Sequence, residues 1–311
     1  MKVVVTGGAG FIGAHLCRTL DEADFVDHVV ALDDLSTGSP ENLAGSPSVE
    51  LKRGSILTAE DLDGAMVGAQ AIVHLAARPS VPRSLADPLA THHVNATGTV
   101  MVLEAARRHG IPHVVVASSS SVYGANPALP KREDMAPRPV SPYAASKLAT
   151  EAYALSYGHS FELPVLAFRF FNVFGPLQPA DHAYAAVVPT FVSCALSGRA
   201  LPVHGDGTQT RDFTFVGTVV SVLSDAIRRR VTDAEPVNLA YGSRVSLLEV
   251  IALLEEVVGH PLLCDHLAPR AGDVPHSQAD QTRLQRLFPE VHPIALLDGL
   301  RATVAWFQQL Q

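Results

Sequence analysis

Tyr143 and Lys147 stand four residues apart in the stretch Ser141-Pro142-Tyr143-Ala144-Ala145-Ser146-Lys147-Leu148. Ser141 in the place of an N-cap and Pro142 at the first helical position open a helix there, and the i, i+4 spacing puts phenol and ammonium on one face. A phenol of ordinary pKa, about 10, is a weak base at neutral pH. A neighbouring cation favours its phenolate and pulls that value down, which makes a base able to take a proton from an alcohol. The hydroxyl run Ser118-Ser119-Ser120-Ser121 follows the apolar strand Val114-Val115-Val116 and offers a relay for that proton. Taken alone, a Tyr and a Lys at helical spacing are ordinary surface residues, so their meaning depends on what surrounds them.

A second chemistry lies at the start of the chain. Val3-Val4-Val5-Thr6 runs straight into Gly7-Gly8-Ala9-Gly10-Phe11-Ile12-Gly13, a strand that meets a glycine-rich turn and then a helix. A backbone without side chains lets a pyrophosphate approach the free N–H groups and the positive end of the helix. Asp33 stands at the end of the second strand, twenty positions past Gly13. A carboxylate there holds both ribose hydroxyls and repels a 2′-phosphate, which favours NAD over NADP. The plainer alternative is a tight turn and a loop-capping acid.

These groups need a scaffold that gathers strand ends and helix starts. The first half of the chain repeats a short β-branched run followed by an amphipathic stretch of helical length, the pattern of parallel strands with helices on both faces. Strands are expected at Val3-Val4-Val5, His28 to Leu32, Val49-Glu50-Leu51, Ala71 to Leu75, Val114-Val115-Val116 and Val165 to Phe168. Near-continuous apolar strands are what a sheet covered on both faces requires. Helices are expected over Ala90 to Arg108, Val216 to Arg229 and Val245 to Val258, the last with Ser246 as N-cap, Glu249 three residues on and Gly259 at its end. Past Gly175, Pro176, Pro179, Pro189 and Pro202 punctuate shorter elements. The expected fold is α/β, a doubly wound parallel sheet over residues 1–175 with a smaller α/β substrate lobe over 176–311, the chain crossing back near 205–235.

Composition narrows the classes of function. With 47% hydrophobic residues over 311 positions, the chain can bury about three quarters of its unfolded surface, which excludes disorder as its main state. Twenty-three Lys and Arg against 31 Asp and Glu give a net charge of −8, and no basic run is present, so no nucleic-acid partner is expected. Cys17, Cys194 and Cys264 are odd in number and form no CxxC pair, which suits a reducing compartment. No stretch reaches the roughly 18 consecutive apolar residues of a membrane span, and the opening residues are unlike a secretory leader, so a cytoplasmic location away from membranes is expected. His92 and His93 are adjacent, not four apart, and no HExxH occurs; no metal site is expected. Arg228-Arg229-Arg230 reads as a solvated helix end, and Pro127 to Pro139 as the rim of a cleft.

Several further motifs accompany these: Asp33-Asp34-Leu35-Ser36-Thr37-Gly38, His74-Leu75-Ala76-Ala77, Ser118 to Gly124, Arg169-Phe170-Phe171-Asn172-Val173-Phe174-Gly175-Pro176, Gly205-Asp206-Gly207 to Arg211-Asp212-Phe213, and Arg270-Ala271-Gly272-Asp273. With Thr6 to Gly13 and Tyr143 to Lys147, they make the chain resemble, over nearly its whole length, the extended short-chain dehydrogenase/reductase family. Within it, the chain resembles the NAD-dependent nucleotide-sugar 4-epimerases typified by UDP-glucose 4-epimerase. The resemblance implies a Rossmann-type sheet, NAD as cofactor, a UDP-sugar substrate and a homodimer formed through helices around 90–108 and 143–158. It implies Tyr143 as the base, Lys147 at the nicotinamide ribose and the phenolate, and Ser119 at the substrate 4-hydroxyl. It also implies NAD contacts from Gly7, Gly10, Phe11, Ile12, Gly13, Asp33, Ser36, Gly38, Ser55, Ile56, Leu75, Ala76, Ala77, Asn95 and Phe170. Substrate contacts are implied for Ser80, Asn172, Val188, Val203, Arg211 and Arg270, with Asp273 at the ribose. Two departures from the pattern stand out: Gly54-Ser55-Ile56 offers a hydroxyl where many relatives place an adenine-side Asp, and Ser277 stands where some epimerases carry a large aromatic, leaving room for an N-acetyl group.

Related dehydratases carry Thr-Asp-Glu where this chain has Ser119-Ser120-Ser121, and related uronic-acid decarboxylases usually place a Glu at the third position. Oxidation at C4 and return of hydride to the other face need only Tyr143, Lys147, a relay hydroxyl and NAD. The expectation is therefore an isomerase acting on UDP-glucose and UDP-galactose, with the glucuronate/galacturonate pair and the N-acetylhexosamines as alternatives. Arg78, Arg83 and His182 fall in loops that resemble substrate-facing ones and offer partners for a C6 carboxylate; equally, Arg83 starts a helix and His182 sits in a solvated loop. A rival class, an NAD-sensing regulator without chemistry, would be marked by loss of the Tyr or the Lys.

Overall fold

The computed structural model describes residues 1–180, 185–268 and 275–310. Seven strands form one parallel sheet: β1 (Lys2–Thr6), β2 (His28–Asp33), β3 (Glu50–Arg53), β4 (Ala71–His74), β5 (Val114–Ser119), β6 (Val165–Phe170) and β7 (Val237–Leu239). Their order is β7-β6-β5-β4-β1-β2-β3. The order reverses between β1 and β4, so the strand ends part there and leave the crevice in which open α/β sheets bind ligands. Val3 pairs with both Val29 and Ala71, and Ser118 with Arg169, which sets the two halves of the site in register.

Alternate side chains of β1 serve opposite faces, as period two requires. Val3 and Val5 pack with Leu16 and Leu20 of the first helix (Phe11–Asp21) and with Val219 and Leu223 of the helix Val216–Arg229. Val4 packs on the other face with Leu62, Val102, Leu103 and Ala154. A third cluster, including Phe174, Phe191, Val203, Leu254 and Leu300, is the core of the C-terminal half. There the helices Val187–Leu196, Leu247–Val258 and Leu296–Gln308 pack on one another, and Leu201–His204, which puts Leu201 and Val203 into that core, pairs in parallel with the exposed strand Cys264–Leu267.

The sequence-based elements differ from the structure in three places. The long helix starts at Pro88, capped by Asp87, whose carboxylate accepts the Ala90 N–H at 3.0 Å, and it is interrupted by a π-turn over His93–Thr97. The expected helix from Val245 begins at Leu247, because Val245 and Ser246 pair antiparallel with Arg211 and Thr210; Ser246 and Glu249 do form the capping box. Val237–Leu239 extends the large sheet, a strand too short to show a period in sequence. We offer the boundary near residue 175 as a proposal, with Val216–Arg229 and Val237–Leu239 returning to the large sheet. Among the described residues, no helix is long and apolar enough to cross a membrane, and no group of three or more His, Cys, Asp or Glu side chains could hold a metal ion.

Candidate active site

The glycine-rich turn is a wall of backbone. Gly7 has φ +70°, and a Cβ on it would lie 2.8 Å from the Ala76 nitrogen; a Cβ on Gly13 would lie 2.0 Å from the Gly7 carbonyl oxygen. Only glycine lets the first helix and the β4 end approach so closely. The N-cap of that helix, Gly10, has no side chain to occupy the first free N–H groups, which leaves them to an anionic ligand. Asp33, at the end of β2, accepts the Ala9 N–H at 3.0 Å and the Leu35 N–H at 2.9 Å. Burial pushes its carboxyl up, and those N–H donors work against the shift.

Across the crevice the helix Pro142–Phe161 opens as its residues demand, with the Ser141 hydroxyl accepting the Ala144 N–H at 3.1 Å and Pro142 in the first turn. Lys147 is 5% exposed, and its ammonium donates to the Ala117 carbonyl at 2.6 Å. Burial brings it down to about 8. Tyr143 departs from the sequence-based expectation of a lowered phenol: burial raises it, and the Ser119 hydroxyl opposes that shift. The reason is visible in the packing, where desolvation acts on the phenol while the Lys147 ammonium is engaged by a strand carbonyl.

The four serines divide their work. Ser118 is buried and donates to Glu151 at 2.9 Å and to the Lys147 carbonyl at 3.3 Å. Ser119 faces the crevice and accepts from the Ser121 N–H and hydroxyl. Glu151, one turn beyond Lys147, takes a bidentate pair of bonds from Arg169 of β6, at 2.9 and 2.6 Å, in a site sealed from solvent. This pair locks the helix bearing Tyr143 and Lys147 onto β5 and β6, and a lone Glu and Arg in the sequence gave no sign of it. On the other side of β5, His74 is fully buried between Thr6 (2.8 Å) and Thr99 (3.1 Å). Desolvation, with the Lys147 charge adding to it, holds His74 down to about 3, so it is neutral.

Three cavities meet along this crevice. The largest, about 440 Å³, is lined by Gly7, Gly10, Phe11, Ile12, Gly13, Asp33 and Ser36, by Ile56, Leu75, Ala76 and Ala77, and by Ser119, Tyr143, Lys147, Phe170 and Asn172. The structure thus brings together most of the residues expected at the cofactor. Asp34 and Thr37, inside the Asp33 to Gly38 motif but not singled out there, also line it, as do Leu32, Pro79 and Val94, which carried no motif. A second cavity, about 230 Å³, is lined by Asn172, Val188 and Arg211, together with Pro202, His204 and Gln209. A third, about 280 Å³, is lined by Ser120, Ser121, Lys131, Asn172, Arg211 and Ser277 among others. Asn172 faces all three and has φ +27°, a region that asparagine tolerates better than most residues.

Five expected residues lie outside these linings. Gly38 packs behind Ala9, with no room for a Cβ, and Ser55 gives its N–H to Asp61 while its neighbours Gly54 and Ile56 line the crevice. Asn95 is buried in the π-turn; its amide holds the Arg78 backbone at both N and O and donates to the Ser146 hydroxyl at 2.9 Å. Ser80 caps the helix Val81–Ala86. Val203 turns its side chain into the third core, while Pro202 and His204 on either side face the second cavity. Arg78 pairs with Asp87 at 3.7 Å, and Arg83 belongs to the helix Val81–Ala86. His182, Arg270 and Asp273 lie outside the described residues.

A switch-point crevice with a glycine wall, a ribose-side acid and a Tyr/Lys helix is the site of a dinucleotide-dependent enzyme. Residues 3–240 match the model of the NAD dependent epimerase/dehydratase family, and the chain belongs to that family. It is 39% identical to a UDP-glucose 4-epimerase of Mycolicibacterium smegmatis over 99% of both chains. Its fold is similar to that of a UDP-N-acetylglucosamine 4-epimerase from Methanobrevibacter ruminantium solved with UDP-N-acetylmuramic acid, with TM-score 0.93, 34% identity and coverage of 100% and 99%. It is also similar to a UDP-glucuronic acid 4-epimerase from Bacillus cereus solved with UDP-glucuronic acid and NAD, with TM-score 0.92, 30% identity and coverage of 100% of both chains.

Proposed function

We propose that this isomerase, an NAD-dependent UDP-sugar 4-epimerase, interconverts UDP-glucose and UDP-galactose. The observation that carries the reaction is the meeting of Tyr143, Lys147 and Ser119 in the same crevice as the glycine wall and Asp33. The residues fit NAD: the wall has no room for side chains where a pyrophosphate would lie, and Asp33 awaits ribose hydroxyls. When bound, NAD accepts hydride from C4 and returns it. The chain's part is to hold and move the proton. Tyr143 takes it from the C4 hydroxyl, with Ser119 as the partner whose hydrogen bond opposes the burial of the phenol, and Lys147, four residues on in the same helix, is the cation in the same lining. Arg211, at the junction of the second and third cavities, is our candidate anchor for the diphosphate, which leaves the 4-keto sugar free to turn.

The absence of any carboxyl in Ser119-Ser120-Ser121 argues against dehydration across C5 and C6. Glucose is favoured by the 39% identity to a UDP-glucose 4-epimerase. Purified protein given UDP-glucose is expected to form UDP-galactose with transient absorbance of reduced nicotinamide; no product and no absorbance change with any UDP-sugar would overturn the reading. We place the homodimer contact on the helices around 90–108 and 143–158; Leu89, Tyr153 and Phe161, exposed in or beside them, support it. A monomeric mass in solution contradicts it.

A further inference from the structure

Lys131 is a cation in an unusual place. It is 3% exposed and lies in the segment between Tyr123 and the catalytic helix, where its backbone bonds to Gln278 and Asp280 tie that segment to the strand-like stretch around Ala279. Its ammonium donates to the Asn126 carbonyl, and burial lowers its pKa. Among the described residues no carboxylate lies within ion-pair distance of it. The nearby acids are engaged elsewhere: Glu133 with the Asn238 N–H at 2.9 Å, Asp134 with Arg132, Asp212 with Ser243 and Ala279, and Asp280 with the Thr282 N–H. An ammonium has three donors, and one backbone carbonyl satisfies one of them. Keeping such a group out of water without a counter-charge is costly, and an anion arriving beside it offsets that cost.

The third cavity, which Lys131 lines, joins the cofactor crevice through Ser120 and Asn172 and the second cavity through Asn172 and Arg211. A sugar held between the reacting phenol and the diphosphate anchor therefore projects its substituents into it. The described lining contains two cationic residues, several hydroxyls and no carboxylate. We propose that Lys131 is a specificity-determining residue which reads an acidic substituent of the sugar, so that the enzyme also epimerises UDP-hexuronates. The assignment rests on the UDP-sugar epimerase reading above.

The test compares kcat/KM for UDP-glucuronate and for UDP-glucose in the wild type, Lys131→Met and Lys131→Arg. Met conserves the buried stem and removes the charge; Arg keeps the charge. A hydrogen bond to a charged group sets the scale: Lys131→Met is expected to lower the glucuronate-to-glucose ratio by about ten- to a hundredfold, mainly through KM, with Lys131→Arg keeping it within about threefold of wild type. A wild type active on UDP-glucose but not on UDP-glucuronate overturns the assignment alone, as does an equal loss on both sugars in a Lys131→Met protein that still folds. If Lys131→Met does not fold, failure of Lys131→Arg to keep a glucuronate-to-glucose ratio within about threefold of wild type overturns it. A wild type that turns over neither sugar overturns the epimerase reading and the assignment with it.

Discussion

At the cofactor end of the crevice, Gly7, Gly10 and Gly13 make a wall out of backbone, and the Asp33 carboxylate at the end of β2 is held by two N–H groups. At the sugar end, Lys131, Asn172, Arg211 and Ser277 come from four separate segments and present side chains. The first region is fixed by what cannot fit there, the second by what is placed there. Binding of a common cofactor needs only the former, whereas on the proposed function a choice among sugars would fall to the latter. Substitutions at the two ends are therefore expected to differ in kind: changes at the centre abolish chemistry or folding, and changes at the sugar end redistribute activity among substrates.

The largest effect is expected at the shared centre. Tyr143→Phe should leave NAD retention intact while lowering kcat by about 10²- to 10⁴-fold, as loss of a general base does; stopped-flow turnover with bound-nucleotide analysis measures both, and wild-type turnover in this variant would refute the base assignment. Next comes the support under that centre. Glu151→Gln leaves Arg169 buried without its counter-charge and should cost about 3–5 kcal/mol of stability in denaturant titration, since removing one partner of a buried pair is strongly destabilising. A change below about 1 kcal/mol would show that the pair does not anchor the helix.

Acid acts on the same region more gradually. His74 has a folded pKa of about 3, below its ordinary 6.5, so the unfolded chain binds the extra proton first. Its contribution to stability is whole above pH 6.5 and drains away as pH falls from 6.5 toward 3, amounting to several kcal/mol when complete. His74→Asn should flatten that part of the stability profile; an unchanged slope contradicts a buried neutral imidazole. The smallest effect belongs to the sugar end. Ser277→Tyr, which narrows the third cavity, should lower kcat/KM for UDP-N-acetylglucosamine relative to UDP-glucose by about tenfold, the scale of a pocket that has lost a few atoms of room. A ratio that does not move would place the C2 substituent elsewhere.

The same contrast explains what the sequence disclosed. Val3 to Gly13, Asp33 and Tyr143 to Lys147 were legible because each motif is contiguous, so local rules of strand, turn and helix start apply to it. Six of the seven sheet strands were legible from apolar runs, and β7 was not, being three residues long and supported by β6. The π-turn at His93–Thr97 escaped because its cause is tertiary: Asn95 must reach both Arg78 and Ser146. Lys131 and the Glu151–Arg169 pair escaped for a like reason, since a charged residue buried by distant segments looks the same in sequence as one in water. Gly38, Ser55 and Asn95 show a further side of this, since a likeness of motif names them while their local packing and hydrogen bonds, visible only in the fold, set them beside the cavity surface.

Asn172 belongs to every compartment of the crevice, and its backbone occupies a conformation few residues accept. On the proposed function, that single joint would help set how far apart nicotinamide, pyranose and pyrophosphate sit. Engineering a new sugar preference at the rim can thus leave the reaction distance untouched, while any side chain that relaxes the joint should blur all three recognition events at once.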